Sequence, residues 1–348
     1  MKSLVMPAKR LNEFILSLKK FGQVHVPTKK DEIHVYAPLR NIKQMDLKWV
    51  RTLLPLKKYV LPPQEKLLEF TLDGDVKEPD IGEEKIIIFG AHPCEIWGIN
   101  ILDEVFSYKI VDKNYFRRRN NLVIIGYSCT PDDKCFCQSM GTDTVSSGFD
   151  LFFSELNGDY LVGIGSSLGE RITSYNASFF RPVKREDIDR YRKKQEERRE
   201  KFTLHLDTSD LPTILGLEYE SELWRDLGEL CVGCGSCSLV CPTCYCFNVR
   251  DSVNLDMKTS ERIREWDNCM LKDYALVAGG FNFRADRANR VKNRYYHKQQ
   301  GFVEQFGRPS CVGCGRCIVS CPVKINVVEV FQKIRGEEYA ERNVSKSG

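Results

Sequence analysis

The 348-residue sequence predicts an α/β domain over residues 1–210, followed by an α+β, largely helical domain over residues 211–348. In the first part, short apolar runs alternate with a helical pattern, as expected for a parallel sheet covered by helices. The second part contains two cysteine strings of identical spacing. Residues 207–216 form a loop rich in Asp, Ser, Pro and Gly, which places the predicted boundary near residue 210.

Helices are predicted near both ends of the first domain. Residues 8–21 carry apolar side chains at helical spacing, and Gly22 ends this amphipathic helix. Residues 184–204 are highly charged, with acids and bases in alternating blocks. This pattern predicts a helix that is either a solvated spacer or a packing element.

A βαβ-type unit is predicted between residues 85 and 165. Its strands are continuous apolar runs of the length that suits burial on both faces, at residues 86–89, 122–125 and 160–162. Between the first two runs, residues 96–106 show helical periodicity. A glycine pattern follows the third run at residues 163–169, but its spacing and the absence of a suitably placed acid disfavour dinucleotide binding.

Composition excludes several classes of protein. The net charge is +4, which favours neither nucleic acid nor an anionic membrane surface as a partner. The amino terminus lacks the apolar run of a secretory signal, and no stretch approaches the length of a membrane span. We therefore expect a cytoplasmic protein whose fifteen cysteines are kept reduced.

The two strings share the spacing C-x2-C-x2-C-x3-C-P. The first string contains Cys231, Cys234, Cys237 and Cys241, and the second string contains Cys311, Cys314, Cys317 and Cys321. This is the spacing of two-cluster bacterial ferredoxins, in which the fourth cysteine of each string ligates the other cluster. Structural zinc is the alternative, but it usually takes two separated pairs of ligands rather than four closely spaced thiols.

The crossed rule predicts two 4Fe-4S clusters in a ferredoxin-like domain. One is assigned to Cys231, Cys234, Cys237 and Cys321, and the other to Cys311, Cys314, Cys317 and Cys241. Between the strings lies an insertion over residues 243–310, which is predicted to contain helices.

Three further features accompany the strings. A basic run at residues 283–294 has few interleaved aromatics, which disfavours nucleic-acid binding and favours packing over an anionic cluster or a partner protein. Cys244, Cys246 and Cys269 are interpreted as non-ligands, although the first two directly follow the first string. The polar tail after Arg335 is predicted to be frayed.

The first domain contains an amino-terminal group of cysteines, namely Cys94, Cys129, Cys135 and Cys137. Two of them follow adjacent predicted strands, and loops at the carboxyl ends of parallel strands lie side by side. A helix beginning near Pro93 would also stabilise a thiolate or an anionic cluster. The group is predicted to bind a third iron-sulfur cluster, with 4Fe-4S favoured over 2Fe-2S. Zinc is the main alternative, and His92 is expected to be structural or to contact a ligand.

Several segments carry motifs that extend beyond these candidate ligands. They are residues 89–94 (FGAHPC), 126–137 (GYSCTPDDKCFC), 148–153 (GFDLFF), 241–246 (CPTCYC) and 264–269 (REWDNC). In these motifs the chain resembles the beta subunit of cytoplasmic nickel-iron sulfhydrogenases, a family that also includes the electron-transfer subunit of anaerobic sulfite reductase. The resemblance extends from about residue 14 to residue 335.

The resemblance implies a non-catalytic electron-transfer subunit of an oxidoreductase complex. It implies that one partner is a flavoprotein, the gamma subunit, which binds FAD and exchanges electrons with NAD(P)H. The other partner is a small subunit with a nickel-iron large subunit in sulfhydrogenases, or a sirohaem subunit in sulfite reductase. The hydrogenase is favoured, and a standalone ferredoxin-like carrier is an alternative from another class.

Overall fold

A computed structural model describes residues 2–71, 73–255 and 257–336. The strands are β1 (Ser3–Pro7), β2 (Gln23–Lys30), β3 (Ile33–Pro38), β4 (Gln64–Thr71), β5 (Val76–Lys77), β6 (Ile86–Ala91), β7 (Leu122–Tyr127), β8 (Leu151–Glu155), β9 (Asp159–Ile164), β10 (Arg181–Pro182), β11 (Phe247–Val253) and β12 (Thr259–Trp266). Apart from Gly336, the tail predicted to be frayed lies outside the described residues.

The α-helices are α1 (Leu11–Ser17), α2 (Lys57–Val60), α3 (Pro93–Ser107), α4 (Lys113–Asn121), α5 (Ser167–Tyr175), α6 (Arg185–Arg199), α7 (Leu211–Leu217), α8 (Leu223–Leu230), α9 (Ser236–Leu239), α10 (Arg287–Tyr296), α11 (Phe302–Phe306), α12 (Arg316–Val319) and α13 (Val327–Ile334). Short 3-10 helices lie at Ala8–Arg10, Leu18–Lys20, Ile42–Gln44, Ala177–Phe179 and Lys272–Ala275, and a π-helical turn covers His297–Gly301. Within the described ranges, none of these helices combines the length and apolar character that a membrane span requires.

An eight-stranded mixed sheet has the order β10-β1-β9-β8-β7-β6-β2-β3. Strands β2, β6, β7 and β8 pair in parallel, whereas the outer pairs are antiparallel. Helices α3 and α4 connect the parallel neighbours β6 and β7, so the predicted βαβ-type unit is confirmed. The third predicted strand is also observed, as β9, but it runs antiparallel to β8.

Burial on both faces explains the uninterrupted apolar run of β6. Ile87 and Phe89 pack with Phe14 of α1 on one face of the sheet, whereas Ile88 packs with Ile96 of α3 on the other. Successive strand residues point to opposite faces, so a strand covered on both sides requires apolar residues at every position. The predicted opening helix is confirmed as α1 flanked by two 3-10 turns.

A second sheet connects the insertion to the amino-terminal half of the chain. Its four strands are antiparallel in the order β11-β12-β4-β5. The predicted helices of the insertion are confirmed as α10 and α11, but the hairpin β11–β12 was not predicted. Most of β11 is exposed, so its sequence lacks the apolar alternation of a half-buried strand. The sheet therefore joins strands from both sides of residue 210.

The loop predicted over residues 207–216 is only partly observed. Helix α7 occupies its second half, so the prediction is wrong from Leu211 onward. Pro212 lies in the first turn of this helix, where proline has no intrahelical hydrogen bond to lose. Leu211 and Leu215 are buried against α13 and its neighbours, and this packing stabilises the helix.

Candidate iron-sulfur centres

Each cysteine string folds as a loop that leads into a short helix. In the first string, Gly233 and Gly235 have φ values of 69° and 74°, and helix α9 follows. In the second string, Gly313 and Gly315 have φ values of 61° and 73°, and helix α12 follows. Glycine reaches this left-handed region without the steric cost of a side chain. The glycines therefore let each loop curl tightly enough to turn successive cysteines toward one cavity.

The two strings enclose two cavities. The first is lined by Cys231, Cys234, Cys237 and Cys321, and the second by Cys241, Cys311, Cys314 and Cys317. Cys317 also borders the first cavity. The fourth cysteine of each string thus lies with the first three of the other, which is the grouping that the crossed rule predicts.

The electrostatics of the thiols agree with this grouping. Burial raises the pKa of the Cys231 thiol, and the other three thiols of its cavity act in the same direction. Burial raises the pKa of Cys311 to about 12, with a further contribution from Cys317. Cys231 and Cys311 therefore retain their protons without a metal, and a metal must displace these protons on binding.

The arrangement of the thiols differs from that of a site for one ion. Among the described residues, no three His, Cys, Asp or Glu side chains converge closely enough to hold a single metal ion. Structural zinc draws four ligands to about 2.0–2.3 Å from one point. Thiols spread around a cavity fit the larger volume of a polynuclear cluster better than they fit zinc.

In the described part of the chain, three buried cations, Arg294, Lys298 and Arg316, contact these cavities. Arg294 of α10 lines both, and Lys298 of the π-helical turn lines the second. Burial alone would lower the pKa of each of these two, but nearby cysteines raise it well above the usual range, chiefly Cys237 for Arg294 and Cys241 for Lys298. Arg294 Nε has no hydrogen-bond partner among the described residues, and Lys298 Nζ donates to Thr243 Oγ1 at 3.0 Å. Such cations would offset the negative charge of thiolate-bound clusters, and Arg294 is the residue of the predicted basic run that lines both cavities.

The structure also brings the amino-terminal group together. Cys94 lies in the first turn of α3, Cys129 follows β7, and Cys135 and Cys137 lie in the loop between β7 and β8. Burial raises the pKa of Cys94 well above its usual range, and Cys137 is the next contribution. Burial also raises the pKa of Cys137, and Cys129 and Cys135 add to this effect. Each thiol of the group therefore lies within electrostatic range of another.

The second string packs directly against the amino-terminal group. The backbone N–H of Phe136 donates to the carbonyl of Gly313 at 2.9 Å, and Thr142 Oγ1 donates to the carbonyl of Val312 at 2.7 Å. A Cβ atom on Gly313 would lie 2.6 Å from the Cα of Cys137. Nothing in the sequence pattern indicates this contact, because the two segments lie far apart along the chain.

Three arginines surround this contact, and sequence reasoning missed all of them. Arg316, within the second string, is buried and pairs with Glu95 of α3 at 2.6 Å. Arg51 donates to Asp132 at 2.7 Å and to the Cys135 thiol at 3.3 Å. Arg198 lies in the charged helix α6, where the sequence indicated only a solvated or packing helix.

Arg198 shows that helix α6 has a packing role. Its guanidinium is buried and donates to Asp143 at 3.0 Å, and its charge opposes the burial that raises the pKa of Cys129. The charges of this helix therefore include one cation directed at the amino-terminal group. The sequence does not single out Arg198, because the other bases of α6 lie in the same alternating blocks of charge.

His92 has a structural environment. It is fully buried, its Nδ1 lies 3.1 Å from the carbonyl of Val50, and its ring stacks on Trp49 with centroids 3.7 Å apart. Burial, with the positive charge of Arg316, lowers the pKa of His92 to about 3, so the imidazole is neutral. These contacts agree with the structural role expected for this histidine.

Two comparisons with known proteins match different parts of the chain. One matches the region of the strings, and the other matches nearly the whole chain. The 4Fe-4S dicluster domain family matches residues 230–325, a range that includes both strings and excludes the amino-terminal group. The sulfhydrogenase 2 subunit beta of Pyrococcus furiosus is 38% identical over 323 residues, which cover 93% of this chain and 95% of that protein. No solved structure matches the chain significantly. This protein, an iron-sulfur protein with a 4Fe-4S dicluster domain, therefore belongs to the family of sulfhydrogenase beta subunits.

Proposed function

We propose that this chain is the electron-transfer subunit of a cytoplasmic nickel-iron sulfhydrogenase complex. It would link a gamma subunit that binds FAD and NAD(P)H to the small and large hydrogenase subunits. The observation that carries the proposal is the direct contact between the second string and the amino-terminal group, because it makes the three cysteine sites neighbours. Neighbouring redox sites are what such a protein needs to carry electrons from one docked partner to another.

The proposed ligand sets for the two clusters of the strings correspond to the cysteines that line each cavity. We assign one 4Fe-4S cluster to Cys231, Cys234, Cys237 and Cys321, a second to Cys311, Cys314, Cys317 and Cys241, and a third to the amino-terminal group, Cys94, Cys129, Cys135 and Cys137. When bound, such clusters supply one-electron redox chemistry. The residues of the chain hold the thiols in place, exclude bulk water by burial and balance charge through Arg294 and Lys298.

The three sites have an order. The second string lies between the first string, with which it shares its cavities, and the amino-terminal group. Cys234 of the first string is exposed, so this end of the row is open to a docked partner. We propose that electrons pass along the row and that the two partners dock at its opposite ends.

The proposal includes a division of the chain into two domains. We propose an α/β domain over residues 1–210 and a largely helical, ferredoxin-like domain over residues 211–348 with its insertion at residues 243–310. The hairpin of the insertion adds to a sheet begun by β4 and β5, so the two domains share one framework. A shared framework keeps the cluster sites at constant separations.

Affinity purification of the full chain from its own cells under anaerobic conditions tests the proposed place in a complex. We expect a flavoprotein and nickel-iron hydrogenase subunits to co-purify. Recovery of a sirohaem protein instead would assign the chain to an anaerobic sulfite reductase. Recovery of the iron-loaded chain alone would indicate a standalone carrier and contradict the proposal.

Single substitutions test the crossed ligand sets. Cys317→Ser should perturb the cluster that includes Cys241, whereas Cys321→Ser should perturb the cluster built on the first string. EPR spectra of the reduced variants distinguish the two clusters. If both substitutions in the second string alter the same cluster and leave the other unchanged, each string closes on its own cluster and the crossed assignment is wrong.

A further inference from the structure

Two of the cysteines outside the proposed centres meet at one end of the hairpin β11–β12. The last pair in the register of this hairpin is Phe247 opposite Trp266. Beyond it, the backbone N–H of Asp267 donates to the carbonyl of Cys246 at 3.1 Å. The side chain of Asn268 then accepts from the N–H of Met270 at 3.0 Å, closing a turn that contains Cys269. Cys246 and Cys269 therefore both lie at this end of the hairpin.

The two cysteines influence each other electrostatically, and their thiols differ in character. The thiol and backbone N–H of Cys269 and the Tyr274 hydroxyl lie close enough to the Cys246 sulfur to stabilise its thiolate. The Cys269 thiol is the chief cause that lowers the pKa of Cys246 to about 6, and the same interaction raises the pKa of Cys269. At neutral pH, Cys246 is therefore a thiolate beside a protonated thiol.

The pair is separate from the proposed cluster ligands. Neither Cys246 nor Cys269 lines the two cavities of the strings. The backbone N–H of Cys244, the third remaining cysteine, instead donates to the carbonyl of Cys241 in the first string at 3.5 Å, and the Cys241 thiol is the chief cause that raises the pKa of Cys244. The thiols therefore form pairs, and a pair provides too few ligands for a closed metal site. Both Cys246 and Cys269 are only partly buried, so small reagents reach them.

We propose that Cys246 and Cys269 form a redox-active dithiol site whose substrates are low-molecular-weight disulfides. A thiolate with an adjacent thiol is the arrangement of thiol–disulfide exchange sites, in which the first sulfur attacks and the second resolves the mixed disulfide. Nearby positive charge supports the thiolate, since Lys298 contributes to the lowered pKa of Cys246.

The exchange is balanced in bonds, protons and electrons. The Cys246 thiolate attacks one sulfur of the small disulfide, whose S–S bond breaks and releases one thiolate. Cys269 loses its proton, and its sulfur attacks Cys246 in the mixed disulfide and releases the second thiolate. The two released thiolates take one proton from Cys269 and one from solvent. Two protein sulfurs are thereby oxidised to one disulfide, and the small disulfide is reduced to two thiols.

Oxidised glutathione is the probe for this site. The full chain, purified anaerobically with its iron, is treated with oxidised glutathione, alkylated with iodoacetamide and digested with trypsin. We expect a disulfide that links the peptides of residues 226–250 and 265–272, through Cys246 and Cys269. Dithiothreitol should reverse it, and the iron content should not change.

Serine substitutions of single cysteines test the attacking and the resolving step of the exchange. In Cys269→Ser, which lacks the resolving thiol, glutathione should remain attached to Cys246 as a mixed disulfide. The matched control, Cys244→Ser, removes a neighbouring cysteine and should retain the linkage of the unmodified chain. If Cys246→Ser or Cys269→Ser instead loses iron or zinc relative to this control, the two cysteines are metal ligands and the proposal is wrong.

The pH dependence of alkylation provides an independent measurement. The rate of Cys246 alkylation should rise through about pH 6 and level off above it, because the thiolate is the reactive form. Tyr274→Phe removes a hydroxyl that stabilises the thiolate, so its midpoint should move to higher pH. A midpoint near the ordinary thiol value of about 8.5, or no linkage at glutathione concentrations that preserve the iron, would overturn the proposal.

Discussion

At the scale of single residues, the buried cations beside the cysteine cavities are the features most open to experiment. Arg294 lines both cavities, and its charge faces thiols rather than carboxylates. Interactions between charges strengthen where water is excluded. A guanidinium in this position should therefore favour the reduced, more negative form of a nearby cluster.

Replacement of this cation should lower a cluster potential. We expect Arg294→Gln to lower the reduction potential of at least one cluster by about 60 mV, which corresponds to about 1.4 kcal/mol for one electron. Potentiometric titration followed by EPR measures the shift. Arg287→Gln, which removes an exposed charge from the same helix, is the matched control and should have little effect because solvent screens it. Equal potentials in the two variants would show that the buried charge does not influence the clusters.

At the scale of secondary-structure elements, the contact between the second string and the loop of residues 135–137 connects the two halves of the proposed relay. It depends on Gly313, since a Cβ at this position would meet backbone atoms of Cys137 at 2.6 Å. Backbone atoms cannot move aside as a flexible side chain can. Gly307 has a similar φ of 71° but open space around its Cα, so it provides an internal control.

Gly313→Ala should separate these elements. We expect it to weaken the magnetic coupling between the second cluster and the amino-terminal cluster and to destabilise the protein by more than Gly307→Ala does. Both variants incur the cost of a left-handed alanine, about 1–2 kcal/mol, but only the first also displaces the loop. EPR of the fully reduced protein and thermal unfolding measure the two effects. If both variants show the same magnetic coupling and the same thermal stability, the contact contributes to neither.

The hairpin of the insertion depends on a buried ion pair. Arg264 of β12 donates through Nε to Glu65 of β4 at 2.7 Å, and it also pairs with Asp112. Glu65 also pairs with Arg118, so removal of Arg264 leaves this buried network one cation short, and loss of a partner from a buried pair costs about 3–5 kcal/mol. We expect Arg264→Met to lower the stability of the full chain by about 3 kcal/mol in chemical denaturation under anaerobic conditions.

Arg262 of the same strand provides the control for this prediction. It pairs with Asp251 on the exposed face of the hairpin, where side-chain exposure is 45% and 48%. Exposed pairs contribute little because solvent competes for both charges. Arg262→Met should therefore leave stability nearly unchanged. Similar losses for both variants would mean that the buried pair does not hold the hairpin to β4.

At the scale of the whole molecule, the identity of the amino-terminal centre determines the path of electrons. An iron-sulfur cluster there extends the row of redox sites into the α/β part of the chain. A zinc ion would instead hold two loops together without carrying electrons. The two possibilities differ in what happens when ligands are removed.

Cys135→Ser and Cys137→Ser should each remove one iron-sulfur EPR signal and leave the two clusters of the strings intact. Transfer of electrons between the docked partners should slow more than reduction of an artificial dye, since the dye reaches the remaining clusters directly. Metal analysis is the control: zinc in the purified protein, with no loss of iron on substitution, would assign a structural ion to this site.

Local spacing determined much of what the sequence predicts. Features that depend on neighbours a few residues away can be predicted without a structure. They include the two strings, their glycines and the buried runs of β6 and β7. The dicluster match and the βαβ-type unit confirm these predictions. Exposed β11 was missed for the same reason, because it lacks a local apolar pattern.

Only the tertiary structure decided which distant segments meet. The backbone contact between Gly313 and Phe136, the buried pair of Arg316 with Glu95 and the meeting of Cys246 with Cys269 all follow from packing. In each case, the sequence around one residue gives no indication of the residue that it contacts. Burial and charge balance are satisfied only when the sheets and loops assemble. By itself the sequence determined the cysteine strings and predicted their crossed grouping, whereas the packing of the second string against the amino-terminal group was decided only by the tertiary structure.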